Sequence, residues 1–164
     1  MEQTNVLDTN VLAVANKKAV QVSDECIFET QKLLNKIVTE QQSTSIDNQW
    51  LILSEYKRYA DFSGQPNVGD VFFKWLFSNL GKADICEIVP ITLTNEEDIL
   101  FQEIPDNLEG LERFDRADQK FLAVAFGSQY NAEILEAADT DWNVLPQTMD
   151  KRDDKSIRIQ HICT

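Results

Sequence analysis

Four acidic residues occupy positions where a small α/β protein would place metal-binding or catalytic carboxylates: Asp8, Glu55, Asp118 and Asp139. Asp8 interrupts "TNVLDTNVLAVAN" directly after an apolar pair, and Asp139 closes "AEILEAAD". Both are predicted to end parallel strands, and the carboxyl ends of such strands meet at one edge of a sheet. We therefore expect these two carboxylates to lie close together, although 131 positions separate them in the chain.

The other two acids fall on predicted helices. In "WLILSEYKRYA", Glu55 borders the apolar face that includes Ile52 and Tyr59. In "FDRADQKFLAVAF", Asp118 begins the helical row that continues with Leu122. Both carboxylates are therefore expected close to the core, where an unpaired charge is costly.

Carboxylates that converge in a partly buried place repel one another unless a cation, a shared proton or a basic side chain compensates them. Oxygen ligands alone favour Mg²⁺ or Mn²⁺. The chain has a single histidine and three scattered cysteines without a CxxC pair, which argues against zinc. The expected cofactor is therefore Mg²⁺ or Mn²⁺.

Each acid also has a local structural interpretation. Asp8 suits a turn at a strand end, and Asp115 stands three residues before Asp118, where it would cap a helix. Asp141 could bond backbone in the turn after its strand, and Glu55 alone would suit a solvated helix position. The four positions taken together favour a shared site over four separate local roles.

Strand and helix patterns alternate along the chain and predict an α/β fold. Strands are expected at 4–8, 44–47, 85–92, 132–139 and, as a last edge strand, 156–162; helices are expected at 24–41, 50–62, 68–82 with Gly81 at its end, and 115–129. Segment 94–115 is acid-rich and predicts an exposed connector. Residues 1–164 are expected to form one domain.

Composition limits the choice of partners. The formal net charge is −13, which argues against a broad basic surface for nucleic acid but leaves room for a nuclease whose bound cations invert the field locally. The scattered cysteines favour a reducing cytosol, and neither a leader pattern nor a long apolar run is evident. We therefore expect a cytoplasmic protein without a membrane partner.

The sequence resembles the PIN-domain family across nearly its whole length. The residues that carry the resemblance are "NVLDTNVLAVAN", "ILSEYKRY", "DRADQKFLAVA" and "EILEAADTDW", in that order, and "GQPNVGDVFFKWL" is similar to a group of small bacterial members. The resemblance implies a three-layer α/β/α sandwich around a mostly parallel, about five-stranded sheet. It also implies a metal-dependent endonuclease that acts on single-stranded or structured RNA.

The family's acidic pattern falls on the same four residues, as catalytic and metal-binding groups: Asp8, Glu55, Asp118 and Asp139. Its polar position two residues after the first acid falls on Asn10, which with Asp115 and Asp141 would form an outer shell. Many small bacterial members are toxins of toxin–antitoxin pairs, and many dimerise. The resemblance therefore implies RNA as substrate, an antitoxin or other basic protein as partner, and a homodimer.

The net charge of −13 departs from the basic surface that RNA-binding members usually need. Arg116 and Lys120 flank Asp118, so they are the basic residues best placed to hold a phosphate, although both would also suit a solvated helix surface.

Two other functions are alternatives to the nuclease. A phosphotransferase of the haloacid-dehalogenase type needs a second aspartate two residues after the first, where this chain has Asn10. A catalytically weak or inactive PIN-like module would instead use the acidic pocket to bind a basic partner. Metal-dependent stability would separate the module from the nuclease.

Overall fold

The computed structural model describes residues 3–163, which form an α/β fold around one mixed sheet. Within that range the sheet has six strands: β1 (Gln3–Leu7), β2 (Thr44–Asp47), β3 (Cys86–Val89), β4 (Asn131–Glu136), β5 (Thr148–Lys151) and β6 (Lys155–His161). The same range holds five α-helices: α1 (Thr9–Ala15), α2 (Asp24–Thr39), α3 (Leu51–Tyr56), α4 (Val68–Ser78) and α5 (Gln119–Gly127). The α/β class and the mostly parallel sheet are confirmed.

The strand order is β3-β2-β1-β4-β6-β5, with only the β5–β6 pair antiparallel. From β1 the chain first builds outward through β2 and β3, and then returns to add β4 on the other side. The order therefore reverses between β1 and β4. Ligands of open α/β sheets bind in the crevice beyond the carboxyl ends of the strands at such a reversal.

Two predictions about the sheet were wrong. Six strands are present instead of about five, because the short strand β5 was missed. The last strand is not at the edge either, since β6 lies between β4 and β5. A four-residue strand with one buried side chain, Met149, has too little alternation to stand out in the sequence.

Several element boundaries also differ from the prediction. Helix α3 stops at Tyr56 instead of residue 62, because Asn16 and Asp70 hold the backbone of Tyr59 and Asp61 in a turn. Helix α4 ends at Ser78, before the predicted end at 82. Helix α1, absent from the predicted elements, begins directly after Asp8.

The acid-rich segment 94–115 is not simply an exposed connector. Phe101, Ile104, Leu111 and Phe114 are buried in it, while its charged residues are exposed except for the half-buried Glu103. Phe114 packs edge-on against Trp142 with ring centroids 4.7 Å apart, so the segment covers part of the core beside the acidic residues.

Cys26 and Cys163 form a disulfide that joins the start of α2 to the residues after β6. A separation of 137 residues gives no pairing signal in the sequence, and the bridge was not predicted. Disulfides are typical of oxidising compartments, so the bridge removes the cysteine-based reason for expecting a reducing cytosol. Among residues 3–163, no helix is both long and apolar enough to cross a membrane.

Candidate functional site

Three carboxylates meet in the crevice between β1 and β4. One oxygen from each of Asp8, Asp118 and Asp139 lies within 4.8 Å of the others, and we call these three residues the acidic cluster. They come from the end of β1, the start of α5 and the loop after β4, so only the folded chain brings them together. Sequence reasoning predicted these three residues as members of one site.

Asp8 reaches the cluster from a rigid support. Val6 and Leu7 are fully buried in the central strand, and the Asp8 side chain, only 3% exposed, caps α1 by accepting from the Asn10 N–H. Its second oxygen accepts a 2.6 Å hydrogen bond from the Trp142 indole N–H. Asp8 is therefore both a cluster member, as predicted, and the cap of α1, a local role different from the strand-end turn that the sequence offered as its alternative.

Asp118 is buried at the junction of two helical segments. A 3₁₀ turn over Arg116–Asp118 precedes α5, and Asp115 caps that turn by accepting from the Ala117 N–H at 3.0 Å. The predicted helix over 115–129 is therefore split into a turn and a helix, and Asp118 stands where they meet. The capping role favoured for Asp115 is confirmed.

Asp139 lies three residues beyond β4, not at its end as predicted. Its side chain accepts from the Asp141 N–H at 2.9 Å and starts a short 3₁₀ turn over Thr140–Val144. Asp141 is exposed, and together with Asp115 and Asp118 it forms a second group of three carboxylates at the rim of the crevice.

Burial and mutual repulsion disfavour the charged forms of the cluster carboxylates. Burial, with the nearby charges of Asp139 and Asp115, raises the pKa of Asp118 from its ordinary 3.8 to about 7. Burial and the charge of Asp118 also raise the pKa of Asp8 well above its ordinary value, although the Trp142 bond opposes this. The charge of Lys120 lowers the pKa of Asp118 but does not outweigh burial and the neighbouring carboxylates.

Glu55, predicted as a fourth ligand, faces different partners. Its two oxygens contact Lys120 Nζ at 2.6 Å and accept from the Thr9 hydroxyl at 2.6 Å. Among residues 3–163, Glu55 is not part of the groups whose oxygens approach closely enough to share an ion. In this structure it holds Lys120 and α1 against the site.

Lys120 and Arg116 differ in how free they are to meet a ligand. The Lys120 side chain is 10% exposed, paired with Glu55 and also bonded to the Ala117 carbonyl, whereas Arg116 is exposed. Both line a groove of about 340 Å³ that also includes Arg58, Leu51 and Leu100. The groove thus carries three basic side chains and one acidic side chain, Glu55, and its residues Arg116, Ala117 and Lys120 flank Asp118 in the chain.

Asn10 completes the surroundings of Asp8. Its side-chain oxygen accepts from the Ala137 N–H at 3.0 Å and ties α1 to the loop after β4. Its buried Nδ2 has no hydrogen-bond partner among the described residues. A buried donor without a partner is costly, so an oxygen supplied by a ligand or water would stabilise it.

Sequence reasoning missed three residues that support the cluster: Trp142, Glu136 and His161. Trp142 is fully buried, and its neighbour Asp141 drew attention only as an acid. Glu136 is the true last residue of β4, buried and paired with His161 at 2.7 Å. A glutamate inside the apolar run "EILEAA" was the available signal for it.

No protein-family model, curated protein or solved structure matches this chain. The candidate site therefore depends on the geometry described above and on the motifs in the sequence.

Proposed function

We propose that the protein is a metal-dependent nuclease of the PIN type that hydrolyses phosphodiester bonds in RNA. The observation that supports this most is the convergence of Asp8, Asp118 and Asp139 at the reversal point of the sheet, with oxygens within 4.8 Å. Helix α5 contacts β1, β2 and β4, while α1, α2 and α4 pack against one another. This packing is compatible with the three-layer PIN-like sandwich that we propose.

The donor set fits a hard divalent cation. Carboxylate oxygens are the ligands that Mg²⁺ and Mn²⁺ prefer, and the raised pKa values of Asp8 and Asp118 indicate a site that gains from added positive charge. Asp8, Asp118 and Asp139 would hold the ion. When bound, it would supply Lewis acidity toward the phosphodiester and lower the pKa of water.

The remaining residues would hold and orient the substrate. Arg116 and Arg58 are exposed in the basic groove and would contact phosphates, while the apolar lining from Leu51 and Leu100 would accept a base or a sugar. The free amide hydrogens of Asn10 would donate to an oxygen at the cluster. Glu55 would keep Lys120 beside the cluster, where its charge lowers the pKa of Asp118.

Cleavage of a labelled single-stranded RNA tests the proposal. We expect the wild-type protein to cut RNA with Mn²⁺ or Mg²⁺ and not in EDTA, and Asp8→Asn to lose nearly all activity. Asp84→Asn is the matched control, because Asp84 is exposed and precedes β3 at the opposite edge of the sheet. Equal, metal-independent cleavage by wild type and Asp8→Asn would refute the assignment.

A binding module remains the second candidate, because the chain carries a net charge of −13 and two exposed acids, Asp115 and Asp141, at the rim of the crevice. Such a module would bind a basic protein segment by charge complementarity. It predicts no rise in melting temperature with millimolar Mn²⁺, whereas the nuclease predicts a clear rise. The toxin role, an antitoxin partner and a homodimer belong to the nuclease proposal as implications of the PIN resemblance, whereas a cytoplasmic location stays a prediction from composition.

A further inference from the structure

A chain of hydrogen bonds leads from Asp139 through Glu136 to His161 at the end of β6. The Asp139 N–H donates to Glu136 Oε2 at 2.8 Å, and Glu136 Oε1 lies 2.7 Å from His161 Nδ1. The Glu136 side chain is 3% exposed, so its carboxylate depends on these partners. His161, the only histidine in the chain, therefore orients the group that holds the backbone of a cluster residue.

The same chain continues to Asp8. His161 Nε2 bonds to Gln147 Oε1, and Gln147 Nε2 donates to the carbonyls of Trp142 at 3.2 Å and Leu145 at 2.9 Å. The Trp142 indole N–H then donates to Asp8 at 2.6 Å. Two of the three cluster residues are thus connected through one continuous network.

Donor and acceptor roles in the network are fixed by chemistry. Gln147 faces two carbonyls with one end of its amide, so that end must be the nitrogen and the other end an accepting oxygen. His161 Nε2 must then donate to Gln147, and a proton lies between Nδ1 and Glu136. Each group in the path has a complementary partner, as expected for a buried network that specifies one conformation.

We propose that Glu136 and His161 are positioning residues that fix the loop 137–142 and, with it, the spacing of Asp8 and Asp139. The two residues after β6 supply the anchor, because the Ile162 and Cys163 N–H groups donate to the carbonyls of Glu136 and Ala137 where the loop begins. The effect on metal binding rests on the proposed function, whereas the positioning of the loop does not.

The chain offers a matched control on the same two strands. Glu133 and Arg158 face each other across β4 and β6 at 2.8 Å, three pairs before Glu136 and His161 in the register. That pair lies toward the amino end of the strands, away from the cluster. Removal of Glu133 therefore tests the loss of an ion pair on β4 without the loss of the network.

Hydrogen exchange of the metal-free, ¹⁵N-labelled protein tests the positioning. We expect Glu136→Ala and His161→Ala to speed exchange of both the Asp139 amide and the Trp142 indole proton by about tenfold, relative to global unfolding. Glu133→Ala should leave both unchanged. If Glu136→Ala does not fold, His161→Ala gives the answer, since that side chain is 27% exposed.

Glu136→Gln should restore near wild-type exchange. Its oxygen can still accept from the Asp139 N–H, and its amide can donate to an unprotonated Nδ1 while Nε2 still donates to Gln147. If only the bulk of the side chain mattered, Glu136→Leu would exchange as slowly as Glu136→Gln. An unchanged indole proton in the folded His161→Ala variant would overturn the proposed connection between the two aspartates.

Titration with Mn²⁺ alone separates this inference from the proposed function. We expect Glu136→Ala to bind Mn²⁺ about tenfold more weakly than wild type, as for other residues that orient metal ligands, and Glu136→Gln to bind nearly normally. Absence of Mn²⁺ binding in wild type would refute the metal site, and the exchange data would still decide the positioning. Equal binding by wild type and Glu136→Ala would overturn the effect on the metal.

Discussion

Replacement of Asp118 by asparagine should stabilise the metal-free protein and remove its response to metal. Asp118 is 8% exposed, and one of its carboxylate oxygens lies within 4.8 Å of an oxygen of Asp8 and an oxygen of Asp139. Carboxylates this close repel one another when ionised. Asparagine has nearly the same shape but no charge. The substitution therefore removes the repulsion while it keeps the packing.

The magnitude follows from the pKa of Asp118, which is raised from 3.8 to about 7 by burial and by the charge of Asp139. This difference corresponds to about 4 kcal/mol at full ionisation. Because water reaches the rim of the crevice and screens the charges, we expect about 2 kcal/mol of stabilisation at pH 8.

The direction in which the stability changes with pH follows from proton binding. Between pH 3.8 and about 7 the folded wild type holds a proton on Asp118 that the unfolded chain has lost. The free energy of unfolding of the wild type should therefore decrease as the pH rises through this range. The Asp118→Asn variant should show a flatter profile.

Urea denaturation in EDTA at pH 5 and pH 8, repeated with Mn²⁺, measures both effects. We expect the variant to exceed the wild type in stability at pH 8, the difference to shrink at pH 5, and only the wild type to gain strongly from Mn²⁺. Asp84→Asn serves as the control. A variant no more stable than wild type at pH 8 in EDTA would refute the repulsion that we infer.

Three further predictions concern the supports of the site. Trp142→Phe should lower the free energy of unfolding by about 1–3 kcal/mol and weaken Mn²⁺ binding, because a buried carboxylate loses its indole donor; urea titration and Mn²⁺ titration measure the two effects. Glu55→Gln should lower the stability, because it leaves the buried Lys120 ammonium group without its carboxylate, and adding Lys120→Met should restore part of that loss. A double-mutant cycle checks this, and strictly additive losses would contradict it. Cys163→Ser should destabilise the oxidised protein by up to about 5 kcal/mol through loss of the long loop closure, and dithiothreitol should destabilise wild type but not the variant in the same denaturation assay.

Much of the fold was predictable from local patterns. Helix α2 begins at Asp24 as predicted, with Ser23 as its cap, and β2 ends at Asp47 as expected. Apolar periodicity and capping residues act within one turn or strand, so the sequence displays them directly. The same holds for the alternation of helices and strands that predicted the parallel sheet.

Elements whose ends depend on distant partners could not be predicted in this way. Helix α3 ends early because Asn16 and Asp70 bind the backbone that follows it. Asp47 was noted only as a strand end, yet it is fully buried and caps α3 by accepting from the Leu51 and Ile52 N–H groups. An acid at a strand end can thus cap a helix or belong to the acidic cluster, and the neighbouring sequence does not show which role it has.

The sequence by itself determined which residues could form an acidic site, because Asp8 follows a recognisable strand, Asp118 stands at the start of a recognisable helix, and Asp139 comes shortly after another strand. Only the tertiary structure decided that these three share a space within 4.8 Å while Glu55 pairs with Lys120. It also decided the network from His161 to Trp142. The physical reason is that strand order, helix packing and side-chain direction bring together residues more than one hundred positions apart, and no local pattern records those distances.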